Sequence, residues 1–358
     1  MTEASISCLC GESVCRVKLV DTIPVKSVLC HQSSCRHNLG ALCHTAIPIK
    51  TRPKLVDLLH KYQCDEVSRY FCGTCGSHMF EHDGVWKVQS GVVVTTHSEQ
   101  ISHQLEEVTS HRYVQDAVDG GLSLCFTGAD GHKEGSQTRT IEIPAGEARA
   151  ACVDAYTNNS REGAQGRLSA GCSCGGVQFF VTRPNEQSRL CSSPWPDLIV
   201  PYHSGSSVNP HDVKWWIRDR GKWLAGTCAC KSCKLALGSP IQAWTFVSLT
   251  NLHNPDGTPL SYTHGTLRAF ESSKDTIREF CGTCGATVFW HNLERPGVVD
   301  VSVGVLRAEE GAMARNWLEW WTERVSFAEE AFDTQLIAQL GSGLQYLSKN
   351  VEYDNPLQ

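Results

Sequence analysis

Nowhere in its 358 residues does this chain hold an apolar run approaching the ~20 residues that a membrane-spanning helix needs, so no membrane span is expected. Positive charge is also short. Lys and Arg number 32 against 38 Asp and Glu, a formal net charge of −6, which counts against a nucleic-acid partner because such a partner wants a basic face. Residues 1–8 have neither the basic nor the apolar stretch of a secretory leader. Core-forming residues are not lacking: 41% of the chain is hydrophobic and 20% charged, ordinary for a globular protein. The length favours two domains over one. What the chain has in excess is cysteine, nineteen in all.

The odd count, the expectation that no secretory leader is present and the tight Cys-x-Cys and Cys-x-x-Cys pairs favour metal over disulfides. A disulfide inside Cys-x-Cys is badly strained, whereas two thiolates at that spacing can share one tetrahedral zinc. The expected compartment is therefore reducing, cytoplasmic or nuclear.

The chain also contains itself twice. Arg69-Tyr70-Phe71-Cys72-Gly73-Thr74-Cys75-Gly76 recurs as Arg278-Glu279-Phe280-Cys281-Gly282-Thr283-Cys284-Gly285, and Phe80-x-His82 recurs as Phe289-x-His291 at the same offset. Upstream, Cys8-Leu9-Cys10-Gly11 answers Cys172-Ser173-Cys174-Gly175, and a middle cluster begins at Cys30 in one half and at Cys228 in the other. Ordered landmarks of this kind mark a tandem duplication. The expected domains are 1–126 and 168–347, joined by a flexible linker over 127–167 that is poor in large apolar residues and holds a short helix near 145–156. The second domain carries an insertion over 188–224 with Trp195, Trp215, Trp216 and Trp223, read as packing rather than the lining of a binding site. Stretches rich in β-branched residues at 14–20, 85–95, 177–182 and 298–306 make the fold class mainly β, with helix expected only at 53–61 and 327–347.

Ligand counts separate two kinds of zinc site. Cys8, Cys10, Cys72 and Cys75 supply four thiolates, as do Cys172, Cys174, Cys281 and Cys284. A closed four-sulfur shell leaves the metal no position for substrate, so these two are expected to be structural. Cys228, Cys230 and Cys233 supply only three, which leaves an open position unless Cys191 or His203 closes the shell. Zinc on three thiolates is a weak Lewis acid, better suited to holding a thiol substrate as thiolate than to making hydroxide. In the first half the same stretch keeps Cys30 and Cys35 but has Gln32 in the middle, so that site is expected to be degenerate, with neither His31 nor Cys43 at a compensating spacing. Candidate acid–base residues are His291 and His203, and Lys231 and Lys234 are cations flanking the open cluster.

The order Cys-x-Cys-Gly, Cys-x-Cys-x-x-Cys, Phe-Cys-x-x-Cys-Gly resembles the glutathione-dependent formaldehyde-activating enzyme family, which includes centromere protein V. The stretches Pro201-Tyr202-His203 through Trp215-Trp216, Ala225-Gly226-Thr227-Cys228 and Asp116-Ala117-Val118-Asp119-Gly120-Gly121-Leu122 resemble its tandem fungal-type members. The resemblance implies two tandem zinc-stapled β-tent domains of small antiparallel sheets. It implies a structural zinc at each four-cysteine set and a catalytic zinc at Cys228, Cys230 and Cys233, while Gln32 departs from the pattern. It also implies a carbon–sulfur lyase that joins a small-molecule thiol, glutathione, to an electrophile such as formaldehyde, with Lys231 and Lys234 as candidates to attract a glutathione carboxylate. Two alternatives stand beside it: a zinc lyase or isomerase acting on a fungal secondary metabolite, and a non-enzymatic zinc scaffold.

Overall fold

Alternating burial along the first strand, with Ala4 and Ile6 inward between partly exposed neighbours, is the half-buried pattern that makes a sheet with one dry face. A computed structural model describes residues 2–97, 104–126, 142–144 and 166–351. The molecule is mainly β, in antiparallel sheets that fall into two halves. In the first half, Glu3–Ser7 lies between Val14–Lys18 and Val93–His97, and a five-stranded sheet runs Ala46–Pro48, Trp86–Gln89, His78–His82, Val67–Phe71, His60–Cys64. In the second half, Arg167–Gly171 pairs with Gln178–Thr182, and an eight-stranded sheet is built around Lys222–Cys228, Gln242–Ser248, Val298–Ser302, Thr287–Asn292 and Thr276–Cys281. Gln242–Ser248 and Val298–Ser302 are buried at every position, as central strands covered on both faces must be. Each half also contains one parallel pairing: Glu106–Arg112 with Val25–Cys30, and Leu318–Trp320 with Lys222–Cys228.

Helix placement differs from the sequence expectation in three ways. The 53–61 stretch makes a short 3₁₀ helix at Lys54–Leu58, shorter than expected, before entering the strand His60–Cys64. Asp65, at φ 52, closes a hairpin there, and that turn pulls the segment into sheet pairing with Val67–Phe71. Two short helices were not expected: α1 (Ser33–Leu39) and α2 (Lys231–Leu237). Their signal lies in Gly40 and Gly238, which end the two helices in the left-handed conformation at matching positions of the repeat. The tail helix α3 is Thr334–Val351, starting after 327 because Asp333 accepts from the amide of Leu336 and so caps it. The 145–156 helix and most of the 127–167 linker lie outside the described residues.

The halves meet across a pseudo-two-fold relationship that the repeat alone did not disclose. The amide of Gly91 donates to the carbonyl of Gly238 at 3.0 Å, and the equivalent Gly304 packs on Gly40 and Ala41. Gly76 lies against Phe280, and its counterpart Gly285 lies against Phe71. A Cβ at Gly91 would stand 2.3 Å from the carbonyl carbon of Gly238, and one at Gly304 would stand 2.3 Å from that of Gly40. The repeat therefore packs on itself as a symmetric dimer would, residue i against j and j against i. The larger core draws on both halves, including Leu29, Leu42, Val114 and Leu122 with Val247, Val301 and Leu340.

Candidate metal centres and functional site

Each four-cysteine set converges as expected. The sulfurs of Cys8, Cys10, Cys72 and Cys75 lie within 4.8 Å of one another, as do those of Cys172, Cys174, Cys281 and Cys284. Individual separations of 3.7 Å for Cys10 to Cys72 and 3.5 Å for Cys174 to Cys281 match the edge of a tetrahedron with metal–sulfur bonds of about 2.3 Å. Backbone amides point at the sulfurs: Ser13 to Cys8, Val177 to Cys172, Gly176 to Cys174 and Cys284 to Cys281. Such donors offset thiolate charge and suit a closed, structural metal.

Cys228, Cys230 and Cys233 also converge, and no fourth His, Cys, Asp or Glu joins them among the described residues. Cys228 ends a strand and Cys233 sits in the first turn of α2, so the strand-to-helix connection gathers all three. The Cys230 sulfur caps α2 by accepting from the Cys233 amide at 3.3 Å. Trp244, Trp290 and Phe327 pack around the cluster. Cys191 does not close the shell; its thiol faces the carbonyl of Ser188.

Arg278 is the residue that sequence reasoning passed over. It is buried, and its Nη2 donates to Ser232 Oγ at 3.1 Å and to Cys233 Sγ at 3.5 Å. Its Nε and Nη1 have no partner among the described residues. Burial works against its charge, but the three thiols beside it hold its pKa above the ordinary value. Cys233 is pushed well down by hydrogen bonds from Cys228 and Cys230, with Arg278 adding its charge. Arg278 opens the second copy of the repeated motif, and that position was the available signal.

The other site candidates are distributed differently. Lys234 does not reach solvent: it is buried, and its Nζ donates to the carbonyls of Gly91 at 3.0 Å and Val93 at 2.6 Å in the first half. Burial pushes it down to about 8. This corrects its assignment to a glutathione carboxylate, since both neighbours are already ligands of the ammonium and tie the halves together. Lys231 is exposed beside the cluster. His291 pairs with Glu279 at 3.2 Å and stacks on Tyr262. Strand register sets Arg278 opposite Trp290 and Glu279 opposite Phe289, so alternation turns His291 to the face away from the thiols. His203 is a surface residue paired with Glu329. Trp215, Trp216 and Trp223 of the insertion are buried, with indole N–H groups on the carbonyls of Pro194, Ser188 and Thr182, which is a packing role.

In the first half, Cys30 and Cys35 are joined by His44, all within 4.8 Å. His31 instead faces His111, with Nε2 to Nδ1 at 3.0 Å, and Cys43 is buried. All eighteen described cysteines are free, and Cys152 lies outside the described residues. Among the described residues no helix is long and apolar enough to cross a membrane.

No curated protein and no solved structure shows significant similarity to the chain. A family model described as glutathione-dependent formaldehyde-activating enzyme matches residues 3–116 and again 213–324, the second match beginning downstream of Cys172 and Cys174. With two matches covering more than half its length and both middle clusters inside them, the chain belongs to the glutathione-dependent formaldehyde-activating enzyme family.

Proposed function

We propose that this protein is a zinc-dependent carbon–sulfur lyase in which Cys228, Cys230 and Cys233 hold a catalytic metal and glutathione is added to, or eliminated from, a small aldehyde. The observation that carries this reading is three converging thiols beside a buried guanidinium, that of Arg278, whose Nε and Nη1 have no partner among the described residues. A donor set of three sulfurs fits a soft or borderline ion such as zinc. When bound, zinc would lower the pKa of a thiol and so favour the nucleophilic thiolate.

The chain's own groups then have separable tasks. Arg278 keeps Cys233 anionic through Nη2 and offers Nε and Nη1 to the oxygen that gains charge as the thiolate sulfur bonds the carbonyl carbon. Proton handling passes from His291 and His203 to Asp300, which register places opposite Trp290 and Phe246 on the thiol face. Burial pushes the Asp300 carboxyl up to about 6, against the pull of Arg295, so it can exchange a proton near neutrality. Trp244, Trp290 and Phe327 exclude water. Lys231, exposed beside the cluster, attracts a glutathione carboxylate. The structural pair of sites is assigned zinc on the same donor chemistry, within domains spanning 1–126 and 168–347.

The test is formation of S-(hydroxymethyl)glutathione from glutathione and formaldehyde, followed by NMR exchange on the zinc-loaded protein. Acceleration over the uncatalysed reaction that disappears in Cys230→Ser supports the reading. Equal rates in the two proteins would turn it toward a zinc scaffold.

A further inference from the structure

We infer that Cys30, Cys35 and His44 form a further metal site in the first half, a two-thiolate, one-imidazole centre for a zinc-class divalent cation. The two halves have exchanged a donor. In the second half the middle loop position is Cys230, and the strand position opposite Cys228 is Gln242. In the first half the loop position is Gln32, and the strand position opposite Cys30 is His44, held by amide–carbonyl hydrogen bonds in both directions at 3.0 and 3.2 Å. Directly opposed residues of an antiparallel pair face the same way, so His44 enters the cluster from the neighbouring strand. Each half thus keeps three donors and one glutamine.

Geometry and surroundings agree with a metal. The Cys30 and Cys35 sulfurs are 3.8 Å apart, the edge of a tetrahedron with zinc–sulfur bonds of about 2.3 Å. His44 Nε2 lies 3.3 Å from Glu81 Oε2, which leaves Nδ1 as the ligating nitrogen. Glu81 is itself held by Arg69 Nη1 at 2.9 Å and Gln89 Nε2 at 3.1 Å. A carboxylate behind a ligating histidine sets its tautomer and orientation. The register places Trp290 where Glu81 would be in the second half, so the carboxylate accompanies the histidine and is missing where the histidine is missing. Arg69 Nη2 donates to Cys35 Sγ at 2.9 Å, as Arg278 does to Cys233. Two thiolates and a neutral imidazole leave the bound divalent ion formally neutral, a stronger Lewis acid than the three-thiolate centre.

The test is elemental analysis of the full chain purified without added metal, with cobalt substitution as a second readout. Four zincs per chain are expected, falling to three in His44→Ala and returning to four in His44→Cys, which restores a three-sulfur set. Cys230→Ser should lose a different metal, so cobalt spectra of the two variants should lack different components; the failure of one centre is then distinguishable from failure of the other. The inference is overturned by three zincs in the wild type with Cys30 and Cys35 alkylated in the native protein or joined as a disulfide. It is equally overturned if His44→Ala retains four. Should His44→Ala misfold, the cobalt spectrum of His44→Cys decides the matter: stronger thiolate-to-cobalt charge transfer than in the wild type is expected, and an unchanged spectrum overturns the inference.

Discussion

Arg278 donates to Cys233 Sγ at 3.5 Å while two of its other N–H-bearing nitrogens stay unpartnered among the described residues. A buried cation held beside thiolates and left with free donors is a poor structural choice, since each unmet donor costs free energy. It becomes intelligible if a substrate oxygen completes the set. Arg278→Lys, which keeps the charge and loses the fork, is expected to lower kcat for thiol–aldehyde addition by about 100-fold. Zinc content should stay at the wild-type value. Loss of metal together with rate would mean that Arg278 serves only to hold the cluster.

Cys230→Ser removes one of three thiolates from the second-half cluster and also the sulfur that caps α2. It is expected to lose one zinc and all turnover, with a stability cost of about 1 kcal/mol or less, because serine is itself a good cap. Cys72→Ser, by contrast, opens a cross-link between Cys10 and the Cys-Gly-Thr-Cys turn and should cost far more stability than activity. Thermal unfolding beside zinc analysis separates the two. If both variants unfold alike, the division into structural and working sites fails.

Glu106 provides a pH signature. Burial pushes its carboxyl up to about 7, and hydrogen bonds from Thr45 and Ser90 offset this only in part. A folded-state value raised above the unfolded 4.5 contributes stability in acid that is lost as pH rises through about 7. The full loss is roughly 3 kcal/mol, from 1.36 kcal/mol per unit. Glu106→Gln should therefore show a flatter decline between pH 5 and pH 8 in urea denaturation and exceed the wild type at the upper end. Parallel pH profiles for the two proteins would refute the assignment.

The joint between the halves tolerates no side chain at Gly91 or Gly304, where a Cβ would stand 2.3 Å from backbone carbon of the other half. Gly91→Ala or Gly304→Ala is expected to destabilise by about 3 kcal/mol, the upper part of the range for overpacking. Gly11→Ala meets no atom within 4 Å and bears only the penalty of its φ of +79°, about 1 kcal/mol. The ranking can be read from urea midpoints. Equal effects at Gly11 and Gly91 would mean that the halves can separate without loss.

Cysteine order was enough to divide the clustered cysteines into sets that converge in space, because knuckle turns are local and their spacing reports their geometry. The mainly β class was legible for a similar reason: β-branched runs and two-residue alternation act within single strands. The helix expected at 53–61 is cut to a 3₁₀ helix at Lys54–Leu58, because a hairpin at Asp65 and pairing with Val67–Phe71 take the residues from His60 on into the sheet. His291 looked like a partner of the thiols because it recurs in the repeat, yet strand alternation turned it to the other face. Lys234 looked solvent-facing because sequence carries no record of the opposite half, whose Gly91 and Val93 carbonyls receive it.

By itself the sequence determined the recurring motifs, the strand content and the grouping of cysteines into two sets of four and a set of three at Cys228, all written in residues near one another or repeated in order. Only the tertiary structure decided which side chains stand opposite them. Arg278 reaches Cys233, His44 reaches Cys30, and Gly91 meets Gly238 through register and close backbone approach between distant segments. Those relations arise from packing two faces together, and no local spacing encodes them.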